Sequence, residues 1–390
     1  MAVIALIDGE HHPSAVRDVL ARLDAGRGLA GVVFCGGEEK LTPGSLSDHY
    51  GRAVESDPEA ALHRLASHAD AVVDLADEPV LGPSAKLRLA ALVLHLGMAY
   101  EAPGLRLDPP RYDPVGFAGL KLAVIATGKR TGKTALACHL ARLLSERDPV
   151  IVCMGRGGPA EPVIAEPGPS LDDLLAIVEA GGHAASDYLE DAVLAGVRTV
   201  GCRRVGGGLT GQAAESNVVA GAALAAALSP GLILFEGSGA CIPPVDVDRT
   251  ICIVGLGEPE PMSEYRLLRA DLVLAQEGAP APPGTKRFAL CPEPAEPLPA
   301  DARVALFTTG AGRCEGVEPV LASTNLARRR ALAADLERAA AEACDVYLTE
   351  LKAAAIDTVA RWARERDARV VFVRNRVDGV DDALLELARG

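Results

Sequence analysis

The chain reads as an α/β protein in two parts, a smaller βαβ domain followed by a larger doubly wound domain with a mostly parallel sheet. Three observations predict this. Short apolar runs alternate with longer amphipathic stretches along the whole chain. A Pro- and Gly-rich segment, DPPRYDPVGFAG at 108–119, interrupts that alternation and reads as a linker. Beyond it the alternation restarts and continues to the C-terminal end.

In the first part, VIALI (3–7), GVVFC (31–35) and AVVDL (71–75) are continuously apolar, the pattern of parallel strands buried on both faces. The intervening SAVRDVLARLDAG, DPEAALHRLASHA and SAKLRLAALVLHLG carry helical spacing and end near Gly or a turn. This predicts a Rossmann-like domain over 1–115. The second part, 120–390, opens on KLAVIAT (121–127) and continues through VIVCM (150–154), TVGCRRV (199–205), LILFEG (232–237) and ICIVG (251–255). DLVLA (271–275), RVALF (303–307), DVYLT (345–349) and RVVFV (369–373) complete the strand series, most of them separated by helical stretches. The proline-laden 278–301 reads as a loop excursion or a subdomain border.

Composition narrows the function classes. Apolar residues make up 49% of the chain, enough for real cores, while aromatics at 3% leave core packing to Ala, Val, Leu and Ile. A net charge of −14 opposes a nucleic-acid or anionic-membrane partner, both of which call for a basic face. A strongly anionic ligand would therefore need a local basic pocket. Lysine numbers only seven against 32 arginines, and two of the seven sit in one seven-residue loop. Nine cysteines are scattered without a CxxC pair, several inside apolar runs, which predicts buried free thiols in a reducing compartment. MAVIALIDGEHH lacks a basic leader and no apolar run reaches membrane length, so a cytoplasmic protein is expected.

The strongest motif is AVIATGKRTGKTALACHLARLL (123–144): a buried strand, a glycine turn, Lys-Thr, then an apolar helix. Glycines let backbone N–H groups wrap a phosphate at the helix start. Gly128, Lys129, Arg130, Thr131, Gly132, Lys133 and Thr134 are the predicted ATP-binding residues of a P-loop. Lys133 would reach the terminal phosphates and the Thr134 hydroxyl would hold Mg²⁺. The loop is a variant: three residues, not four, separate its first glycine from Gly-Lys-Thr, and Thr127 stands where the usual first glycine would be. The second part is accordingly expected to be a P-loop NTPase domain. A carboxylate at the end of a neighbouring strand should complete the metal site, and Glu236 in LILFEGSGA (232–240) fits, the plainer reading being a turn cap.

Two further glycine turns carry arginine. MGRGGPAEP (154–162) offers Arg156, Gly157 and Gly158, and CRRVGGGLTG (202–211) offers Arg203 and Arg204. Guanidinium forks suit phosphate and carboxylate, so both turns are predicted to bind substrate rather than to make surface ion pairs. Asp187 in HAASDYLEDA (183–192) is a candidate base or hydroxyl contact, and Lys352 at a strand end in YLTELKAAAID (347–357) a further substrate contact. In the first part, LIDGEHHP (6–13), FCGGEEK (34–40) and DEPVLGPSAKLR (77–88) place polar turns at strand ends; IDGEHHP suits a solvated turn better than a metal site.

At these residues the chain resembles the cyclic 2,3-diphosphoglycerate synthetase family. The resemblance rests on IDGEHHP, GKRTGKTA, VCMGRGGPAEP, ASDYLEDA, RRVGGGLTG, FEGSGA followed by IPPV, and YLTELKAAAID, in family order over nearly the whole chain. It implies an ATP- and Mg²⁺-dependent ligase that closes 2,3-bisphosphoglycerate into its cyclic anhydride, releasing ADP and phosphate, with Lys133, Lys129, Arg130 and Glu236 in catalytic roles. A homodimer is expected. Two other readings stay open at this point: a P-loop ligase or kinase on another small acid, similar to dethiobiotin synthetase, and an ATP-driven switch protein without an enzymatic product.

Overall fold

The computed structural model describes residues 2–310 and 312–389. Contacts divide them into two compact units, and the division does not follow the chain: the first unit runs to Arg111 and also takes in Glu260–Arg269, while the second holds Tyr112–Pro259 and the residues from Ala270 onward.

In the first unit β1 (Val3–Ile7), β2 (Leu29–Phe34), β3 (Ala71–Asp74), β4 (Ala99–Ala102) and β5 (Leu105–Leu107) form a sheet of order β2-β1-β3-β4-β5. All pairs are parallel except β4–β5. Every residue of β1 is buried, as its uninterrupted apolar run demands. The helix Pro83–His95 buries six consecutive residues, Leu89 to Leu94, and so is covered on more than one side. One cover is the helix Ser263–Leu268, which returns from far along the chain and buries Tyr265.

The second unit holds the larger sheet. From one edge its strands are β10 (Glu215–Ser216), β9 (Thr199–Val205), β7 (Pro149–Gly155), β11 (Leu232–Glu236), β6 (Leu120–Ala126), β12 (Arg249–Val254), β13 (Leu272–Gln276), β14 (Lys286–Pro294), β18 (Arg369–Asp378), β17 (Val346–Glu350), β15 (Val304–Phe307) and β16 (Leu321–Ser323). A short β8 (Val163–Ala165) pairs with β9 off this path. From β9 to β13 all ladders are parallel, as are β18–β17, β17–β15 and β15–β16. The mixed α/β architecture predicted from the apolar runs is the one observed.

Within the proline-laden 278–301, residues 286–294 are not a loop but β14. It runs parallel to β13 through Lys286–Phe288, then antiparallel to β18 through Ala289–Pro294, so it joins two parallel half-sheets. The Ala295 N–H donates to Phe372 O on the β18 side. Pro292 and Pro294 are out of phase with it, so neither removes a ladder bond to β18. Among the described residues no helix is long and apolar enough to cross a membrane.

Candidate functional site

The site lies at the carboxyl ends of β6, β7, β9 and β11, the crevice edge of a parallel sheet. Its centre is the turn between β6 and the helix Lys133–Leu143. Gly132 caps that helix in the left-handed region (φ 90°) and leaves the first-turn N–H groups facing the turn. Lys133 is buried and its Nζ donates to Gly128 O at 3.2 Å, so the ammonium is folded back over the loop. Burial lowers the Lys133 pKa to about 8, while Glu236 and Asp187 pull it upward. A phosphate placed there would meet an ammonium that gains from pairing. Thr127, in place of the expected glycine, donates its N–H to Ile253 O at 3.0 Å and ties the start of the loop to β12. Lys129 and Arg130 are exposed, and Arg130 is itself left-handed (φ 57°).

Glu236 is placed by register. The last residue of β11, it pairs with Val124 of β6 on one side and Cys153 of β7 on the other, directly beside the loop. Its Oε1 accepts a hydrogen bond from Thr134 Oγ1 at 2.6 Å. Its Oε2 is buried without a hydrogen-bond partner, an oxygen free to take a cation. Burial, then the neighbouring Asp191 and Asp187 carboxylates, push its pKa well above the usual carboxylate range. The Thr134–Glu236 pair is thus the hydroxyl-and-carboxylate set that suits a hard divalent ion.

The arginine turns divide by face. Arg204 is buried, donating to Gly206 O at 2.6 Å and to Ser238 O at 2.9 Å, whereas Arg203 is exposed on the other side of β9, as alternation along a strand requires. The Gly239 backbone sits where the side chains of three basic residues meet. A Cβ built there would lie 2.6 Å from Arg156 Nη2, 3.4 Å from Lys129 Cγ and 3.5 Å from Arg204 Nη2, and Gly239 has φ +62°. Gly157 and Gly158 continue the Arg156 turn; at Gly158 a Cβ would come within 2.0 Å of Cys202 O, so only glycine lets this turn lie against β9.

Asp187 opens the helix Asp187–Ala195, whose next carboxylates, Glu190 and Asp191, are both buried. Glu190 pairs with Lys352 Nζ at 3.2 Å, which joins the loop after β17 to this helix. Burial pushes the Glu190 carboxyl up to about 7 against the opposing ammonium, and Glu190 in turn raises Lys352. Asp191 accepts from Cys138 Sγ at 3.0 Å and Cys153 Sγ at 2.6 Å. The structure therefore gathers Lys129, Arg156 and Arg204 around Gly239, and Lys133, Thr134 and Glu236 beside the loop, while Arg203 stands apart. Glu190, Asp191, Gly239 and the two thiols escaped the sequence reading. An i, i+4 spacing from Asp187 was the available signal for Asp191.

The polar turns of the first unit are self-contained. Asp8 accepts from Glu10 N at 3.0 Å, His11 N at 3.2 Å and Asp77 N at 2.5 Å, and Asp74 takes Lys86 Nζ at 2.8 Å and the Tyr100 hydroxyl. Among the described residues the one grouping with metal-ligand geometry is Cys153, Asp191 and Glu236.

Strand, glycine turn, Lys-Thr at a helix start and a carboxylate on the adjacent strand together define a P-loop enzyme of the α/β class. Three family models cover most of the chain: the N-terminal domain of cyclic 2,3-diphosphoglycerate synthetase over residues 2–108, its P-loop domain over 121–278 and its C-terminal domain over 312–376. The chain belongs to the cyclic 2,3-diphosphoglycerate synthetase family. Curated relatives of that name include one from Rubrobacter xylanophilus, 42% identical over 437 residues with 100% of this chain and 97% of that one covered. Another, from Methanothermobacter thermautotrophicus, is 34% identical over 448 residues, covering 99% and 95%, and one from Thermococcus onnurineus is 36% identical over 433 residues, covering 99% and 98%.

Proposed function

We propose that the chain closes 2,3-bisphosphoglycerate into cyclic 2,3-diphosphoglycerate with ATP, releasing ADP and phosphate. The observation that carries this reading is the convergence of Lys129, Arg156 and Arg204 on Gly239, next to Lys133 and the Thr134–Glu236 pair. A polyanion and a triphosphate would need such adjacent cationic seats inside a chain of net charge −14.

In the first step an oxygen of one substrate phosphate attacks the γ-phosphorus of ATP, the bond to the β-bridging oxygen breaks, and ADP leaves. The substrate then carries a diphosphate on one carbon. In the second step an oxygen of its other phosphate attacks the inner phosphorus of that diphosphate. The bond to the terminal phosphoryl group breaks, orthophosphate leaves, and the ring anhydride remains. Both steps bring anions together, so the protein's part is to hold geometry and neutralise charge. Lys133 supports the transferring phosphoryl group. Lys129, Arg156 and Arg204 seat the bisphosphate, Arg130 and Lys352 adding charge at the rim, while Gly157 and Gly158 let the anion approach the backbone and Asp187 favours the charged form of Lys133. Thr134 and Glu236 would hold Mg²⁺, which when bound supplies charge neutralisation to the phosphates.

Phosphorus NMR of the purified protein with ATP, Mg²⁺ and 2,3-bisphosphoglycerate tests this directly. A cyclic anhydride resonance growing with ADP and orthophosphate is expected. ADP release driven by a carboxylic acid instead, with no cyclic product, would turn the reading toward a different ligase.

A further inference from the structure

Asp191 has no part in the function just described, yet it is fully buried beside the metal-binding carboxylate. One of its oxygens, the Cys153 sulfur and a Glu236 oxygen all lie within 4.8 Å of one another. Two buried carboxylates this close need a shared cation or proton between them. Two details favour a cation. Glu236 Oε2 is left without a partner although Glu236 is only 4% exposed. Asp191 is held by two thiol donors, Cys138 from the loop helix on Oδ1 and Cys153 from β7 on Oδ2. Each carboxylate oxygen has two acceptor positions, so one thiol on each fixes the group and still leaves a lone pair on each oxygen for a metal. This is the arrangement of a ligand oriented from behind.

We infer that Asp191 is the second carboxylate of the cation site at the P-loop, completing a set of Thr134, Glu236 and Asp191, and that Cys138 and Cys153 are positioning residues which aim it. The oxygen-only set suits a hard ion such as Mg²⁺ or Mn²⁺. It also places the helix Asp187–Ala195 in direct contact with the metal. The inference rests on the proposed nucleotide–metal site and adds a ligand to it.

Binding of Mn²⁺ to the full chain in the presence of ADP, followed by electron paramagnetic resonance, provides the test without turnover. Asp191→Asn should weaken Mn²⁺ by about tenfold or more, the usual effect of losing a ligand or its support, with ADP affinity in EDTA unchanged. Cys153→Ala should weaken it severalfold and Cys153→Ser, which keeps a donor, should restore it. Wild-type Mn²⁺ affinity in Asp191→Asn overturns the inference. Should that variant fail to fold by circular dichroism, the Cys153 pair decides: Mn²⁺ affinity unchanged in Cys153→Ala overturns it equally. Wild-type protein that takes up no Mn²⁺ with ADP would remove the underlying metal site as well, an outcome distinct from unchanged variants.

Discussion

Two single residues carry opposite kinds of weight in the site. In the proposed reaction Lys133 acts through charge. Buried and bonded to its own loop at Gly128 O, with the Glu236 and Asp187 carboxylates favouring its charged form, it is preorganised for a phosphate. Lys133→Ala should therefore leave thermal unfolding near wild type and lower turnover by about 10²–10³-fold or more, the scale for losing one preorganised charge-stabilising group; an active variant would remove the loop from the chemistry. Gly239 acts through absence of a side chain. Its φ of +62° already disfavours an L-residue, and a methyl group would strike the Arg156 guanidinium. Gly239→Ala should raise KM for the bisphosphate by about tenfold, equivalent to roughly 1.4 kcal/mol, while KM for ATP moves much less. Steady-state kinetics with each substrate varied in turn will show whether the two respond separately. These residues differ in legibility for a physical reason. A lysine in a glycine loop announces its chemistry, whereas a glycine that merely clears space for side chains from three other segments is visible only once those segments are folded together.

At the scale of elements, the helix Asp187–Ala195 does more than its sequence suggested. Its Glu190 is tied to Lys352 from the loop after β17, its Asp191 to thiols on the loop helix and β7. It therefore links the nucleotide end of the second unit to its C-terminal strands. Removing Lys352 alone leaves a buried carboxylate uncompensated, which costs about 3–5 kcal/mol for fully buried pairs. The Lys352 side chain is 40% exposed, so roughly 1–2 kcal/mol is the sensible expectation after allowing for solvent screening. Lys352→Met should destabilise by that amount, and adding Glu190→Gln should recover most of it in a double-mutant cycle read by urea unfolding. Additive losses would show that the pair is not coupled. The buried parallel strands were legible because a continuous apolar run has few other folded uses. β8, β10 and β16, each three residues or fewer, were not, since so short a stretch has no period to detect. β14 was obscured by its prolines, which normally argue against an interior strand; its antiparallel phase is what admits them.

For the molecule as a whole, chain order and spatial order part company at one place. Residues Glu260–Arg269 leave the second unit and belong to the first. No local pattern marks this return, because helical spacing says that a face is apolar and not which element will cover it. The consequence is testable. The helix Pro83–His95 buries Leu89, Ala90, Ala91, Leu92, Val93 and Leu94 in succession, and one of its covers, the helix Ser263–Leu268 with its buried Tyr265, lies about 150 residues beyond the end of the unit's contiguous stretch. A fragment ending at Arg111 would keep the five-stranded sheet but expose that side of the helix. Such a surface binds hydrophobic dye and promotes association. Expressed alone, residues 2–111 should bind anilinonaphthalene sulfonate and show reduced near-ultraviolet circular dichroism, and a peptide spanning residues 260–269 added in excess should lower the dye signal. A fragment that is monomeric, dye-free and natively ordered would mean that the returning helix contributes little to the first unit's stability, and that the contiguous stretch folds without it.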